Sequence, residues 1–399
     1  MPTTLVTFLG RVPRDQHGSY RPTVYRFPDG SESAPVAFFG WELVRRVCPA
    51  RLVVLGTAGS MWDHLFEGDH DFGAEAEEAR LALAAAVEVQ AVTAEQLDAL
   101  TPLLAARLGC AVRLQLIPYC RDEAEQIGLL QCMAAVIGER ETVQLDVTHG
   151  LRHLPMLALL SALHLRSTRA VTVERIWYAS YDPDSRASLV HDLNGLLHLA
   201  DWIGALATYD KDGDYGVFAP LLVADGLPAA HSAHLERAAF YERTTNPRDA
   251  AKELANFDKV LAAGLPGPGA LFAEALRSRT RWPKGRDLAA QQRELARQSL
   301  ARGDYIRAAI YAFEARVTKL MPKDAHAANY HAREQAQRDH EEAIRGIGTP
   351  DAADYWLLKN LRNTLAHGNE ARDPRIPGLL ADEDRLQKEL DRLIRGLAD

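Results

Sequence analysis

Hydrophobic residues in the first half of the chain form short, nearly continuous runs that alternate with stretches of helical periodicity. The runs predict strands at residues 3–9, 51–55, 112–117, 142–147 and 171–178. The intervening stretches predict helices at residues 38–47, 74–89, 123–137 and 151–165, and a short hairpin at residues 20–27. Strands that are apolar on both faces are typical of a parallel sheet covered by helices on either side. The pattern therefore predicts a doubly wound, Rossmann-like α/β domain.

The second half of the chain has a different pattern, because strand signals stop after about residue 181. A helix is predicted at 193–209, and a Gly/Pro-rich break interrupts the chain at 264–269. From residue 286 onward the pattern predicts four or five helices and no strands. We therefore predict a Rossmann-like domain at 1–190, a helical connecting region at 191–285 and an all-α domain at 286–399.

Charge and composition narrow the possible partners. The net charge of −8 argues against a broad nucleic-acid surface, although residues from 286 onward carry 19 basic and 19 acidic side chains. The sequence contains no C-x-x-C pair, and it therefore suggests neither a zinc ribbon nor a disulfide framework. The N-terminus lacks the pattern of a signal peptide, and the most apolar stretch, 151–165, is too short to span a bilayer. We expect a cytoplasmic protein that contacts no membrane, and any nucleic-acid contacts should be local and short.

The predicted helix at 352–367 separates an apolar stripe from a polar face. The stripe contains Leu357, Leu358, Leu361 and Leu365, and the opposite side contains Lys359, Arg362, Asn363 and His367. Arg362 and His367 are five residues apart and so flank the polar face, about 140° from each other. Gly368 follows in a position typical of a left-handed helix cap. From spacing alone, the commoner explanation of such a pair is that the arginine is an ordinary surface residue and the histidine is favoured at the helix end by the helix dipole.

The same residues suit RNA cleavage by the RNA's own 2′-hydroxyl. Histidine titrates near neutral pH and serves as acid or base, whereas arginine offers phosphate a fork of charged donors. The segment at 361–368 closely resembles the R-x(4–6)-H motif of HEPN ribonucleases. The resemblance implies catalytic roles for Arg362 and His367, a helper role for Asn363, no metal, and a dimer in which two motifs face each other.

A second helix, predicted at 305–321 and capped by Asp304, carries a further candidate. Its predicted core stripe contains Ile306, Ile310, Phe313, Val317 and Leu320, and Glu314 lies at the edge of that stripe. HEPN domains often place an acidic residue on an early helix to orient the motif arginine, and the resemblance makes Glu314 the candidate. An ordinary half-exposed glutamate paired with a neighbouring base explains Glu314 equally well.

Small and hydroxyl-bearing residues follow the predicted strands of the first domain. Because the carboxyl ends of parallel strands are where ligands bind in such sheets, these segments predict a phosphate-binding edge. The candidate ligand-binding residues are Gly10, Arg11, Thr57, Ala58, Gly59, Ser60, Asp146, Thr148, His149, Gly150 and Arg152. Neither residues 56–60 nor residues 145–150 fit the dinucleotide or P-loop patterns. Ordinary strand-to-helix turns would have the same composition. A zinc site formed by Asp146, His149 and His153 is a weaker alternative, because H-E-x-x-H is absent.

The segment at 146–150 matches the D-x-T-H-G signature of a CRISPR-associated protein family, and the segment at 53–57 and the pair Asp201-Trp202 resemble further landmarks of that family. The resemblance implies a CARF domain, a Rossmann-like sensor of cyclic oligoadenylate. A CARF domain followed by a HEPN domain is the architecture of the ancillary ribonucleases of type III CRISPR systems. The implied protein is a homodimer, or a higher oligomer, that binds cyclic tetra- or hexaadenylate as activator, cleaves single-stranded RNA and does not act on DNA.

Two other functions fit the same residues. A ligand-binding regulator would use an inactive HEPN domain only to dimerise, and a self-limiting enzyme would also degrade its own activator in the sensor domain. The sequence specifies neither the ring size of the activator nor the base preference of cleavage.

Overall fold

A computed structural model describes residues 2–16, 18–68, 70–322, 330–368 and 371–397. The chain divides into two compact units, Met1–His198 and Leu199–Asp399. The predicted connecting region at 191–285 thus falls mostly in the same unit as the helices that follow it. Its connecting role stays a prediction.

Seven strands form one sheet within the described residues of the first unit. They are β1 (Thr3–Leu9), β2 (Val24–Arg26), β3 (Arg51–Gly56), β4 (Ala111–Leu116), β5 (Thr142–Asp146), β6 (Thr172–Asp182) and β7 (Ala187–Asp192). The order across the sheet is β2-β7-β6-β5-β1-β3-β4. The run from β6 to β4 is parallel, and β7 is antiparallel to β6. The order of the five parallel strands, with β1 in the middle of them, confirms the predicted Rossmann-like fold.

Alternate residues of the central strands point to opposite faces, and helices cover both faces. Leu5 and Leu52 belong to one buried cluster, whereas Val6 and Val53 belong to another. The helices of this unit are α1 (Phe39–Val47), α2 (His64–Glu67), α3 (Glu77–Glu88), α4 (Ala94–Leu108), α5 (Glu123–Val136) and α6 (Leu154–Arg169). The first cluster includes side chains of α1, α3 and α4, and the second includes side chains of α5 and α6. Burial on both faces explains why the strands are apolar throughout.

Three local predictions differ from the structure. Strand signals were expected to stop near residue 181, but the chain turns and returns as β7. In place of a hairpin at 20–27, β2 pairs in parallel with β7. The helix predicted from residue 151 begins at Leu154, because Pro155 favours the first turn of a helix and disfavours its interior.

The second unit is helical throughout its described residues, as predicted, with six helices instead of four or five after residue 286. Its helices are α7 (Asn194–Asp212, which begins in the first unit), α8 (Ala219–Ala224), α9 (Ala229–Arg243), α10 (Pro247–Ala263), α11 (Gly269–Arg279), α12 (Leu288–Ala301), α13 (Tyr305–Leu320), α14 (Tyr330–Ala343), α15 (Pro350–His367), α16 (Ile376–Leu380) and α17 (Glu383–Arg395). One hydrophobic cluster extends from Trp202 to Leu397. No described helix is long and apolar enough to cross a membrane.

Helix α13 is buried on a broader face than the sequence predicted. Asp304 caps it by accepting a hydrogen bond from the Arg307 backbone N–H at 2.9 Å, as expected. The buried residues are Ala308, Ala309, Tyr311, Ala312, Phe313, Ala315 and Val317. Ile306, predicted to lie in the core, is 47% exposed. Alanines allow neighbouring helices to approach on two sides, so that burial does not follow a single aliphatic stripe.

Candidate functional site

The loops that follow β1, β3 and β5 meet at the carboxyl edge of the sheet and enclose a cavity of about 240 Å³. Its lining residues are Leu9, Gly10, Arg11, Thr57, Gly59, Ser60, Gln90, Tyr119, Gly150, Leu151 and Leu154. The cavity lies beside β1 and β5, where the direction of strand progression reverses. Ligands bind at this switch point in open α/β sheets. Six of the predicted binding residues therefore surround one cavity.

Two glycines allow the loops after β1 and β5 to come into contact. A Cβ atom on Gly10 would lie 2.3 Å from the backbone nitrogen of Gly150, closer than atoms pack. Gly150 itself has a φ of 111°, a conformation that residues with a side chain rarely adopt. The close approach of the two loops thus depends on glycine at both positions.

The turn after β3 is fixed by buried hydroxyl groups. The Thr57 backbone N–H donates to Ser60 Oγ at 3.0 Å, and Ser60 Oγ donates to the Leu9 carbonyl oxygen at 2.6 Å. Trp62 Nε1 donates to the Thr57 carbonyl oxygen at 2.8 Å. The Ser60 hydroxyl therefore joins the loops after β1 and β3, and its first role is to shape the cavity wall.

Asp146 ends β5 and is completely buried. Its carboxylate accepts hydrogen bonds from Thr7 Oγ1 at 2.6 Å and from the Thr148 backbone N–H at 2.9 Å. Burial raises the pKa of the Asp146 carboxyl to about 6, although both hydrogen bonds act in the opposite direction. Asp146 does not line the cavity and instead holds the loop that does.

Thr148, His149 and Arg152 also lie outside the cavity lining. Thr148 Oγ1 accepts a hydrogen bond from the Ala179 backbone N–H at 3.0 Å. His149 Nε2 accepts the Phe39 backbone N–H at 3.1 Å, and burial lowers the pKa of His149 to about 4. Because Nε2 accepts, the ring is neutral with its proton on Nδ1. Thr148 and His149 anchor the loop, whereas Arg152 is exposed.

The alternative zinc site finds no support in the positions of its three side chains. His149 Nε2 is occupied by Phe39, and His153 Nε2 lies 3.1 Å from the Tyr119 carbonyl oxygen. Within the described part of the chain, no group of three or more His, Cys, Asp or Glu side chains is arranged to hold a metal ion.

Gln90 and Tyr119 line the cavity although the sequence analysis did not select them. Tyr119 follows β4, so the rule about carboxyl ends of strands could have found it. Gln90 follows α3, where no strand ends, and nothing in the sequence marks it. Ala58, which the sequence did select, does not line the cavity.

A larger cavity of about 780 Å³ lies elsewhere in the first unit. Its ionisable lining residues are Arg14, Asp15, Asp63, His64, Glu67 and Glu88, and none of the predicted binding residues lines it. Four carboxylates make this cavity unsuitable for a phosphate-bearing ligand. The smaller cavity at the sheet edge is thus the better candidate despite its size.

In the second unit, α15 carries the R-x4-H segment at its C-terminal end. Leu357, Leu358 and Leu361 are buried, whereas Arg362 and Asn363 are half-buried and His367 is exposed. Gly368 caps the helix with a φ of 64°, and its backbone N–H donates to the Thr364 carbonyl oxygen. The predicted left-handed cap is confirmed, whereas Arg362 and Asn363 on the predicted polar face are only partly exposed and Leu365 of the predicted apolar stripe is only half-buried.

Arg362 does not make the contact with Glu314 that the sequence analysis predicted. The Arg362 guanidinium carbon lies 4.6 Å from the centroid of the Phe313 ring. Glu314 forms its ion pair with Arg333 of α14, a residue that the sequence analysis did not consider. Arg333 reaches Glu314 because α14 packs against α13. An orienting role of Glu314 toward Arg362 is therefore not seen among the contacts of the described residues.

A polar cluster next to the motif joins α15 to α14. Glu341 Oε1 accepts hydrogen bonds from Tyr355 Oη at 2.8 Å and from Lys359 Nζ at 2.5 Å. Lys359 Nζ also lies 5.2 Å from the centroid of the Trp356 ring. These contacts fix the helix that carries Arg362, and they explain why Lys359 on the polar face is not itself free.

The chain is similar to a CRISPR-associated protein and to a solved structure of Csm6. A CRISPR-associated protein of Methanocaldococcus jannaschii is 20% identical over 221 residues, which cover 51% of this chain and 35% of that protein. Enterococcus italicus Csm6 bound to cyclic hexa-2′-fluoro-hexa-dAMP aligns over 100% of this chain and 94% of its own, with 10% identity and a TM-score of 0.39. No protein-family profile matches the chain. The fold therefore rests on the strand order described above, and the first similarity agrees with the resemblance of the D-x-T-H-G segment.

Proposed function

We propose that the protein is a metal-independent endoribonuclease of type III CRISPR defence that cleaves single-stranded RNA when cyclic oligoadenylate binds to its first unit. The observation that carries this proposal is the position of Arg362, Asn363 and His367. His367 is exposed and Arg362 and Asn363 are half-buried on the polar side of α15, whose buried leucines belong to the core of the second unit.

The proposed chemistry needs few groups. His367 takes the 2′-hydroxyl proton or protonates the leaving 5′-oxygen, and Arg362 stabilises the charge on the pentavalent phosphate. Asn363 assists by hydrogen bonding to the phosphate or to His367, four residues away on the same face. The product carries a 2′,3′-cyclic phosphate. Because these groups address phosphate and ribose and not base edges, base specificity is loose.

The acid and the base must both be present, yet each chain supplies one His367. A two-fold dimer that places two motifs face to face would provide both. For Glu314 to orient Arg362 in that cleft, it would have to exchange its observed partner Arg333 for Arg362.

The cavity at the sheet edge supports the proposed activator. Its volume of about 240 Å³ is below the roughly 300–1,000 Å³ of complete small-molecule sites. One chain therefore accommodates part of a cyclic oligonucleotide, and a second copy supplies the rest. The ligand would favour one arrangement of the dimer and so shift the population toward the active one.

The deciding experiment measures cleavage of a fluorogenic single-stranded RNA in EDTA, with and without cyclic tetra- and hexaadenylate. Cleavage with only one ring would support the proposal and identify the activator. The absence of cleavage with either ring, in a folded protein, would favour the regulator with an inactive helical domain.

One observation favours the regulator with an inactive helical domain. The Arg362 guanidinium packs over Phe313 and Glu314 pairs with Arg333, so neither side chain is in the arrangement expected for catalysis. Degradation of the activator is tested separately. Linear product formed by a His367→Ala protein would assign that activity to the first unit.

A further inference from the structure

Gln90 lies in the cavity at the sheet edge, in a backbone conformation that usually requires glycine. Its φ is 56°, in the left-handed region. The Ala91 backbone N–H donates to the Ala86 carbonyl oxygen at 2.9 Å, and the Gln90 backbone N–H donates to that of Val87 at 3.1 Å. This is the hydrogen-bond pattern with which helices end, and its left-handed residue is most often glycine. A residue with a Cβ atom is strained in this left-handed conformation. The helix end alone therefore does not explain why position 90 is glutamine instead of glycine.

The side chain of Gln90 crosses Gly59 in the wall of the cavity. A Cβ atom on Gly59 would lie 3.2 Å from Gln90 Cδ and 3.0 Å from the Tyr119 hydroxyl oxygen. The absence of a side chain at Gly59 therefore leaves room for a carboxamide and a phenol side by side. One face of the Tyr119 ring is already covered by the Arg121 guanidinium, 4.5 Å from its centroid.

Gln90 is an exposed residue, and no hydrogen bond joins its carboxamide to another side chain among the described residues. It offers one acceptor oxygen and two donor hydrogens in a plane. The N7 and N6 edge of adenine presents the complementary acceptor and donor, and glutamine pairs with both atoms at once. Hypoxanthine presents two acceptors on the same edge and leaves one of its atoms without a partner.

We infer that Gln90 is a specificity-determining residue that reads the N7 and N6 edge of one adenine of the bound ligand, with the Tyr119 hydroxyl beside it. This inference rests on the proposed cyclic oligoadenylate ligand and adds the residue by which the cavity selects adenine. The loops after β1 and β3 hold the sugar-phosphate part of the ligand, and the end of α3 supplies the base contact.

Calorimetric titration with cyclic tetra- and hexaadenylate and with the inosine analogue of whichever ring binds tests this inference. Wild-type protein should bind the adenine ring about tenfold more tightly, as one two-point base contact provides. Gln90→Gly removes the carboxamide and relieves the left-handed backbone, so the variant should fold at least as well. It should lose about tenfold in affinity for the adenine ring and clearly less for the inosine ring, which makes at most one of the two contacts.

Gln90→Asn is the matched variant, because asparagine keeps the carboxamide and tolerates the left-handed conformation. It should recover part of the discrimination. Equal losses for both rings in Gln90→Gly, or no loss for either, would overturn the role of Gln90 while leaving the proposed ligand in place. No binding of any ring by wild-type protein would overturn the proposed ligand and this inference together.

Discussion

The imidazole of His367 stands at the last helical residue of α15, where solvent reaches it. Replacing His367 by alanine should lower the rate of RNA cleavage by about 10²–10⁴-fold, the usual contribution of a general acid or base. Because the side chain is exposed, the free energy of unfolding should change by less than about 0.5 kcal/mol. Cleavage rates and thermal unfolding of the same preparations measure both effects.

His231 provides the control for this substitution, since it is an exposed histidine on another helix, α9. His231→Ala should cleave RNA at the wild-type rate. Equal rates for the two variants would remove His367 from the active site.

Asp146 makes the stability of the first unit depend on pH. Its folded pKa of about 6 lies above the ordinary value of 3.8, so the folded state holds a proton that the unfolded chain has already released. The stabilisation is complete below pH 4 and is lost as pH rises through 6, by about 3 kcal/mol. Asp146→Asn should abolish this component, which comparison of urea unfolding at pH 4.5 and 7.5 would reveal.

His149 acts in the opposite direction over nearly the same pH range. Its folded pKa of about 4 lies below the ordinary 6.5, so its contribution rises with pH between these values. The wild-type profile alone therefore shows only the balance of the two groups. The difference between wild type and Asp146→Asn isolates Asp146, and a pH-independent difference would contradict the assignment.

At the level of elements, the contact between the loops after β1 and β5 is the feature on which the cavity depends. Gly10→Ala would place a Cβ atom 2.3 Å from the Gly150 backbone nitrogen. Separating the loops should lower the free energy of unfolding by about 1–3 kcal/mol and abolish ligand binding. Thermal unfolding and calorimetry with cyclic oligoadenylate measure the two consequences.

Gly204 supplies a matched glycine for this prediction. It is exposed on α7, and a Cβ atom there would meet nothing within 4 Å. Gly204→Ala should be neutral or stabilise the helix by up to about 1 kcal/mol. If Gly10→Ala behaves like Gly204→Ala, the two loops do not constrain each other.

Elements with a strong periodic pattern were predictable from the sequence, whereas side-chain partners were not. The parallel strands could be predicted because burial on both faces leaves an uninterrupted apolar run, as at Leu52 and Val53. β7 was missed because its burial is mixed, with Leu189 exposed and Val190 buried. The Gly368 cap was predictable from local chemistry.

The candidate cavity was half predictable for a related reason. Gly10, Thr57 and Gly150 follow strands, so topology places them together. Gln90 follows a helix, and only packing brings it over Gly59. The pairing of Glu314 with Arg333 likewise depends on the position of α14, which a pattern of apolar residues does not specify.

For the whole molecule, the distribution of charge limits how RNA is held. Residues before 286 carry 27 basic and 35 acidic side chains, and those from 286 onward carry 19 of each. Neither part of the sequence has an excess of basic side chains, which argues against a long basic surface that follows an RNA strand. If the proposed function is correct, RNA binding depends on a few contacts near Arg362, and the substrate is recognised over a short length.

An active-site cleft formed by two chains predicts a result that is not expected if each chain acts alone. If two His367 side chains serve one cleft, a dimer with one His367→Ala chain has only half of the acid and base pair. Adding a tenfold excess of His367→Ala protein to wild type should therefore reduce cleavage, because most wild-type chains then belong to mixed dimers.

Native mass spectrometry verifies the exchange of chains between dimers, and cleavage is measured at constant wild-type concentration with activator in excess. An equal excess of His231→Ala should instead increase cleavage in proportion to the protein added. If cleavage stays constant while mixed dimers are present, each chain acts alone, and the second proton-transfer group must come from within the same chain.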